Sequence, residues 1–335
     1  MPPMRICVIH LNQIGDLVFS LPLLKSLKDR YPGAEIHSVL KPGLEKLLEG
    51  SPLVHRVIPR RGGVQETVRL MLSLRQEYYD LFITLARSEE AFLLTAASRA
   101  GTKAGFRRFP WDLCLDVKET VEGHNSPFNN AKLLDLLGIP VTADTYVGLL
   151  PVNPDECTVD VRSPYVVISA GASPRRLIKA WDEEKFARLI ALLYARFGLR
   201  PVLVGAGDTK ESNGKIAALV KEGENGSAID VLDLTGRLSL RALTALLMKA
   251  SLFVGIDSGV MHLASASDIP VVGLFGPTDP FYVRPQNRRS VVVSEGLECM
   301  PCYLKKTCED ARCMRQLGTE KVFEACVGLL EGGAA

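Results

Sequence analysis

Residues 5–40 of the chain read RICVIHLNQIGDLVFSLPLLKSLKDRYPGAEIHSVL, and their pattern decides the fold. Mostly apolar residues run from Ile6 to Leu11, and apolar residues return at helical spacing from Leu17 to Tyr31. A further short segment extends from Glu35 to Leu40. This order predicts a strand, a helix and a second strand. Parallel strands need such helical crossovers, so the stretch predicts the start of a doubly wound α/β sheet.

The same pattern returns in the middle of the chain. It predicts a strand over 165–170, a helix over 182–197 and a strand over 200–204. Between the two copies, Gly148–Pro164 contains three prolines and little periodicity, which is typical of a linker. We therefore predict two doubly wound parallel sheets, with ligands bound by the loops that follow the strands.

Length and composition narrow the possibilities further. The 335 residues are about twice a typical domain and predict an N-terminal domain over 1–155 and a C-terminal domain over 156–335, whose last helix could pack back on the first. The hydrophobic fraction of 47% excludes disorder as the main state. A net charge of +2 argues against a nucleic-acid partner. The chain shows neither an apolar run of ~18 residues nor a signal-peptide pattern, so we expect a cytoplasmic protein.

The first predicted strand is followed by a loop that ends in Gly15-Asp16. An aspartate at this place commonly caps a helix or complements the helix dipole in its first turn. Alternatively, its carboxylate is a general base that takes a proton from an acceptor hydroxyl. The residues alone leave both interpretations open.

The loop after the predicted strand at 165–170 contains Gly171, Ala172, Ser173 and Lys179. Small residues let backbone N–H groups approach an anion, and a lysine adds positive charge. This composition predicts a phosphate site, although the P-loop pattern is absent and a solvated basic loop is the alternative.

A third loop follows the apolar run at 252–256 and reads Asp257-Ser258-Gly259. Ser258 or Asp257 should cap the next helix, whose N-terminus favours a phosphate. Asp257 would then accept from sugar hydroxyls, and His262 would face either the ligand or the core. A further turn at 276–280 fits a plain turn. The dinucleotide pattern Gly-x-Gly-x-x-Gly is incomplete, which argues against a nicotinamide enzyme.

Four cysteines lie within fifteen residues, at positions Cys299, Cys302, Cys308 and Cys313. The spacing allows a structural metal site, reduced thiols packed in a small loop, or redox disulfides. The sequence does not choose among these three.

Taken together, the three loops and the cysteine cluster resemble those of the bacterial lipopolysaccharide heptosyltransferase family, glycosyltransferase family 9, in particular heptosyltransferase II-like members. The resemblance covers nearly the whole chain. It implies a GT-B type fold, with two Rossmann-like domains facing an interdomain cleft. It also implies an inverting transfer of heptose from ADP-heptose to the inner core of lipopolysaccharide, without a metal or other cofactor.

The resemblance also implies roles for individual residues. Asp16 would be the catalytic base, Lys179 would contact the donor diphosphate, and Glu211 would bind the ribose. The remaining donor-binding positions are Gly171, Ala172, Ser173, Asp257, Ser258, Gly259 and His262.

The partners implied are an ADP-sugar donor and a lipid-linked oligosaccharide acceptor. Arg60 and Arg61 would bind the acceptor and, with Arg107 and Arg108, could face the cytoplasmic side of the inner membrane. The alternative is that these arginines form an unrelated solvated face. Two alternatives share these loops: a transferase of another nucleotide-activated sugar onto surface polysaccharide, and a non-catalytic nucleotide-sugar binding protein.

Overall fold

The computed structural model forms two compact units, Met1–Pro151 and Val152–Ala335. The backbone is described over 3–161, 164–172, 174–223, 229–302, 308 and 310–332, with the side chains of 174–176 left out. Each unit contains one six-stranded sheet, and every recorded strand pair is parallel. The two predicted parallel sheets are confirmed.

The first unit alternates strands and helices from its first residues onward. Its elements are β1 (Arg5–Ile9), α1 (Ile14–Arg30), β2 (Glu35–Leu40), β3 (Arg56–Pro59), α2 (Val64–Gln76), β4 (Tyr78–Thr84), α3 (Glu89–Ala97), β5 (Arg99–Phe106), β6 (Val117–Glu119) and α4 (Pro127–Leu136). The strand order is β3-β2-β1-β4-β5-β6. A 3₁₀ turn at Trp111–Cys114 lies between β5 and β6.

The central strand β1 shows why the pattern at 5–40 decides this fold. Ile6, Cys7, Val8 and Ile9 are all fully buried, as expected for a strand covered by helices on both faces of a parallel sheet. Helix α1 begins three residues before the predicted start, and its leucines are buried against the unit's core.

The second unit repeats this organisation. Its elements are β7 (Tyr165–Ser169), α5 (Glu183–Phe197), β8 (Arg200–Leu203), α6 (Lys210–Glu222), β9 (Leu232–Asp233), α7 (Leu240–Met248), β10 (Leu252–Ile256), α8 (Gly259–Ala266), β11 (Val271–Leu274), α9 (Pro280–Val283), β12 (Ser290–Val293), α10 (Arg312–Arg315) and α11 (Thr319–Glu331). The strand order is β12-β11-β10-β7-β8-β9. In both units the first strand is central, so the two sheets have the same topology.

The last helix, α11, packs on α5, β11 and β12 of its own unit. Its residues Val322 and Cys326 are fully buried there. Packing of this helix against the first domain stays a prediction. None of the described helices is both long and apolar enough to cross a bilayer.

Parallel strands all end on the same side of a sheet, which we call its carboxyl edge. The loops after β7, β10 and β11 therefore meet at the carboxyl edge of the second sheet, because these strands are close neighbours. The loop after β1, which leads to Asp16, lies at the carboxyl edge of the first sheet.

Candidate functional site

A buried ion pair occupies the carboxyl edge of the second sheet. The Nζ atom of Lys179 lies 2.5 Å from Oδ2 of Asp257, and the two side chains are only 6% and 9% exposed. Lys179 ends a 3₁₀ turn that follows β7, and Asp257 follows the adjacent strand β10. Residues that lie far apart in sequence are thus joined because their strands are neighbours. The structure brings together two of the predicted donor-binding residues.

His262, in helix α8, lies beside this pair, with Nε2 at 3.9 Å from Oδ1 of Asp257. Burial lowers the pKa of His262 to about 4, and the ammonium of Lys179 acts in the same direction while Asp257 opposes it. Burial raises the pKa of Asp257, but the charge and hydrogen bond of Lys179, with smaller contributions from His262 and Thr278, together leave that pKa below its ordinary value. At neutral pH the lysine therefore lies beside a carboxylate and a neutral imidazole.

Ser258 caps helix α8, as one of the two predicted alternatives has it. Its hydroxyl accepts a hydrogen bond from the backbone N–H of Met261 at 3.5 Å. Gly259 is the first residue of the helix. The predicted turn at Asp257, Ser258 and Gly259 therefore leads from a buried carboxylate directly into a helix N-terminus.

Thr278 adds a buried hydroxyl to this edge. It comes soon after β11 and is almost fully buried. The hydroxyl lies close enough to Asp257 to contribute to the lowering of its pKa. Sequence reasoning missed Thr278, because the segment 276–280 was predicted to be a plain turn. Its position after a strand of the same sheet was the signal that could have identified it.

Gly171 lies where the chain leaves β7 and passes close to Thr209. A Cβ atom at position 171 would lie 2.1 Å from Cγ2 of Thr209, so only glycine fits here. Ala172 follows as a half-buried residue. Ser173, the third predicted residue of this loop, lies outside the described residues.

Glu211 is not joined to this group by any described contact. It lies in the first turn of α6, its side chain is 84% exposed, and it pairs with Lys215 at 2.9 Å. A hydrogen bond from Lys215 lowers the pKa of Glu211. Its predicted contact with the donor ribose stays a prediction.

In the first unit, Asp16 is the third residue of α1 and is half-buried. Gln13 occupies the N-cap position and makes no capping hydrogen bond through its side chain. The aspartate is therefore a first-turn acid at the carboxyl edge, a position that suits the helix dipole. This placement is compatible with both interpretations of the residue.

His10 ends the run of buried residues that begins in β1 and is held by two hydroxyls. Its Nδ1 lies 2.8 Å from Oγ of Ser20, and its Nε2 lies 3.1 Å from Oγ of Ser38. Burial lowers the pKa of His10 to about 3, and the charge of Arg60 adds to this effect. The imidazole is therefore neutral at physiological pH and serves as a structural link.

Arg60 is buried, which corrects the expectation that it lies on an exposed basic face. Its guanidinium forms an ion pair with Glu90 at 3.1 Å and donates to the side chain of Asn12. Burial lowers the pKa of Arg60, and Glu90 partly offsets this. The physical reason is that Asn12, from the loop after β1, and Glu90, from the first turn of α3, enclose it. Arg61 is exposed, as predicted.

The four clustered cysteines line one cavity of about 370 Å³, together with Met300, Asp310 and Arg312. All of them are free thiols, so no disulfide joins them. Burial raises the pKa of Cys313. Within the described part of the chain, no three metal-ligating side chains are arranged to hold an ion.

The second unit thus has a buried lysine–aspartate pair beside a helix N-terminus, and the first unit has an acid at the corresponding edge of its sheet. Comparison with known proteins identifies the class of the protein. The model of glycosyltransferase family 9, described as heptosyltransferase, matches residues 67–312, well over half of the chain. The chain belongs to this family. The predicted family and the predicted enzyme class, a glycosyltransferase, are confirmed.

Individual members of glycosyltransferase family 9 agree with this assignment. Lipopolysaccharide heptosyltransferase 3 of Escherichia coli K12 is 28% identical over 292 residues, which cover 81% of this chain and 82% of that protein. The structure of E. coli ADP-heptose lipopolysaccharide heptosyltransferase II has a TM-score of 0.83 at 23% identity, covering 99% of this chain and 100% of that one. E. coli heptosyltransferase WaaC with ADP has a TM-score of 0.74 at 22% identity, covering 97% and 100%.

These solved structures confirm the predicted fold class, two Rossmann-like units of the GT-B type. A type 3 member is similar in sequence and a type II member in structure, so the likeness to heptosyltransferase II stays a prediction.

Proposed function

We propose that this member of family 9 transfers a heptose from ADP-heptose to the inner core of lipopolysaccharide, with inversion and without a metal. The observation that carries the proposal is the buried group of Lys179, Asp257 and His262 at the carboxyl edge of the second sheet. Membership of a heptosyltransferase family and the ADP named with one structural neighbour support the choice of donor.

In this proposal the second unit binds the donor. Lys179 binds the diphosphate, and the N-terminus of α8 adds partial positive charge beside it. Because Lys179 is already paired with Asp257, the lysine is held in place before the donor arrives. Asp257 shares this cation with the diphosphate and accepts hydrogen bonds from sugar hydroxyls. The backbone N–H groups of Gly171 and Ala172 complete the phosphate site.

The first unit binds the acceptor and supplies the base. Asp16 takes the proton of an acceptor hydroxyl while the hydroxyl oxygen attacks the anomeric carbon. The bond from that carbon to the diphosphate oxygen breaks, ADP leaves with the electron pair, and the configuration inverts. Lys179 stabilises the charge that develops on the leaving diphosphate, and loss of such a donor typically costs about 3 kcal/mol of barrier.

Arg60 would contribute by position, since it fixes Asn12 in the loop that precedes Asp16. The exposed Arg61 keeps the predicted contact with the anionic acceptor. A lipid-linked acceptor would also require the protein to reach the cytoplasmic face of the inner membrane.

The base is tested with Asp16→Asn, which preserves the shape of the side chain and removes its ability to take a proton. We expect ADP affinity to be unchanged by calorimetry and turnover to fall by about 10² to 10⁴. The matched control is Asp29→Asn, which changes an acid at the opposite end of α1. Near-normal turnover of the Asp16 variant with donor bound would exclude the assignment.

The donor is tested by titrating the protein with ADP, UDP and GDP in the presence of EDTA, followed by a product assay on truncated lipopolysaccharide. Preferential ADP binding and heptose transfer support the proposal. Preference for UDP or GDP would instead assign another sugar donor. Nucleotide binding without transfer would indicate the non-catalytic binding protein.

A further inference from the structure

The first unit exposes large apolar side chains on two neighbouring segments near the carboxyl edge of its sheet. We define them as the apolar surface, which consists of Val64, Val68, Leu72, Phe109, Trp111 and Leu113. Val64 is 82% exposed, Phe109 81% and Leu113 71%. Large apolar side chains that cluster in solvent commonly mark an interaction site.

Helix α2 contributes a stripe to this surface. Val64, Val68 and Leu72 are spaced by four residues and therefore lie along one side of the helix. Leu70 and Leu74 lie on the opposite side and are buried in the first unit. The apolar stripe of α2 is thus separate from the buried side through which the helix packs on the first unit.

The second contribution is the segment that follows β5. Phe109, Trp111 and Leu113 lie in or next to the 3₁₀ turn at Trp111–Cys114. Helix α3 packs against both this turn and α2, so the three elements are consecutive neighbours. Leu93 of α3 is also exposed, so the middle one of the three elements presents an apolar side chain as well.

Basic residues accompany both segments. Arg61 precedes α2, Arg107 and Arg108 precede Phe109, and all three are exposed. Arg108 lies 3.7 Å from Glu89, so part of its charge is balanced. Exposed aromatic and aliphatic side chains with arginines beside them match the boundary of an anionic bilayer, where the apolar groups enter and the cations meet lipid phosphates.

We infer that the apolar surface docks the protein on an anionic lipid bilayer. The inference deepens the proposed function, since it rests on a lipid-linked acceptor that has to be reached at a membrane. The hydrogen bond from Arg60 to Asn12 joins the loop before α2 to the loop before Asp16. Docking would therefore bring the bilayer to the same edge of the sheet as the proposed base.

The test is co-sedimentation of the full chain with vesicles of equal parts phosphatidylethanolamine and phosphatidylglycerol, and with vesicles of phosphatidylcholine alone. We expect binding to the anionic vesicles that weakens with salt. Phe109→Ser with Leu113→Ser should reduce this binding about tenfold or more. Arg107→Gln should reduce it about fivefold at low salt.

The matched control combines Phe281→Ser with Leu136→Ser, which removes one exposed phenylalanine and one exposed leucine outside the apolar surface. This control should bind vesicles like the unchanged protein. Equal binding to both vesicle types, or full binding by the Phe109 and Leu113 variant, would overturn the inference. A dimer in sedimentation equilibrium that this variant dissociates would overturn it as well, because a second copy would then be the partner.

Failure of the docking inference is distinguishable from failure of the proposed function. The vesicles contain neither donor nor acceptor, and ADP titration and transfer to a delipidated acceptor are measured in the absence of vesicles. The Phe109 and Leu113 variant should retain both of these activities. Loss of ADP binding by the unchanged protein would refute the donor proposal without affecting the vesicle result.

Discussion

Replacing Lys179 with methionine should destabilise the second unit strongly, because it leaves the buried carboxylate of Asp257 without its cation. Breaking a buried ion pair by removing one partner typically costs about 4 kcal/mol. The pair of Lys179 and Asp257 is a buried ion pair, because the two side chains are only 6% and 9% exposed and their charged atoms lie 2.5 Å apart. For a unit of this size, such a loss corresponds to a decrease of about 10 °C in melting temperature.

The double variant Lys179→Met with Asp257→Asn removes both charges and should recover most of the stability. Tryptophan fluorescence can follow the second unit alone, since Trp181 is buried there and donates to the carbonyl of Leu317 at 2.8 Å. A Trp111→Phe background removes the other tryptophan. Equilibrium unfolding in urea would then report the free energy of unfolding of this unit.

The pH dependence gives a second check on the ion pair. In the unchanged protein the pKa of Asp257 is lowered, so its contribution to stability is present above the unfolded value of about 3.9 and is lost as the pH falls through the folded value. Without Lys179, burial raises the pKa of Asp257, so the deficit of the variant is largest at high pH. Proton uptake by His262 at low pH also reduces the deficit of the variant, because it places a positive charge beside Asp257. The deficit should therefore shrink as the pH falls.

Two results would refute this reasoning. One is that the losses from Lys179→Met and Asp257→Asn simply add in the double variant, which would show that the two groups do not interact. The other is a deficit of the Lys179 variant that stays constant over the pH range. Either result would remove the physical basis for a cation held in place before the donor binds.

Three further substitutions are expected to act through contacts of single residues. Arg60→Met should lower the free energy of unfolding of the first unit by about 2 kcal/mol, because Glu90 loses its cation and, among the described residues, keeps only the hydrogen bond from Thr67. Circular dichroism in urea measures this, and an unchanged midpoint would contradict it. Gly171→Ala should lower the free energy of unfolding of the second unit by about 2 kcal/mol, because the added Cβ clashes with Thr209. Thr209→Gly in the same chain should relieve the loss. An alanine variant as stable as the unchanged protein would disprove the close approach. Thr278→Val should weaken ADP binding about fivefold by calorimetry, because it removes the hydroxyl beside Asp257, while Thr278→Ser preserves the affinity. Equal affinity of all three proteins would show that the hydroxyl does not serve the ligand.

The fold could be predicted from the sequence because its signals are local. The pattern at 5–40 predicts β1, α1 and β2 to within a few residues, and the pattern at 165–204 predicts β7, α5 and β8. Buried parallel strands are continuous apolar runs, and helices carry their own periodicity. Each element could be identified without knowledge of its neighbours.

The candidate site was only partly predictable because its contacts are distant in sequence. Lys179 and Asp257 were each expected near the donor, but no pattern indicates that they pair. Arg60 was predicted to lie on a basic face, and its burial depends on Asn12 and Glu90, which approach it only in the folded sheet. Burial of a charge depends on its tertiary partners, and these are invisible in the local sequence.

The two sheets are built from separate, uninterrupted halves of the chain: β1–β6 form one and β7–β12 the other. A ribosome that has released the first half has therefore supplied every strand of the first sheet, and that unit can fold during synthesis without waiting for the rest. Because β1 is central, its apolar side chains gain neighbours on both sides as soon as β2 and β4 emerge. The order of strands along the chain thus limits the time for which the most apolar segment of the first half is exposed to aggregation.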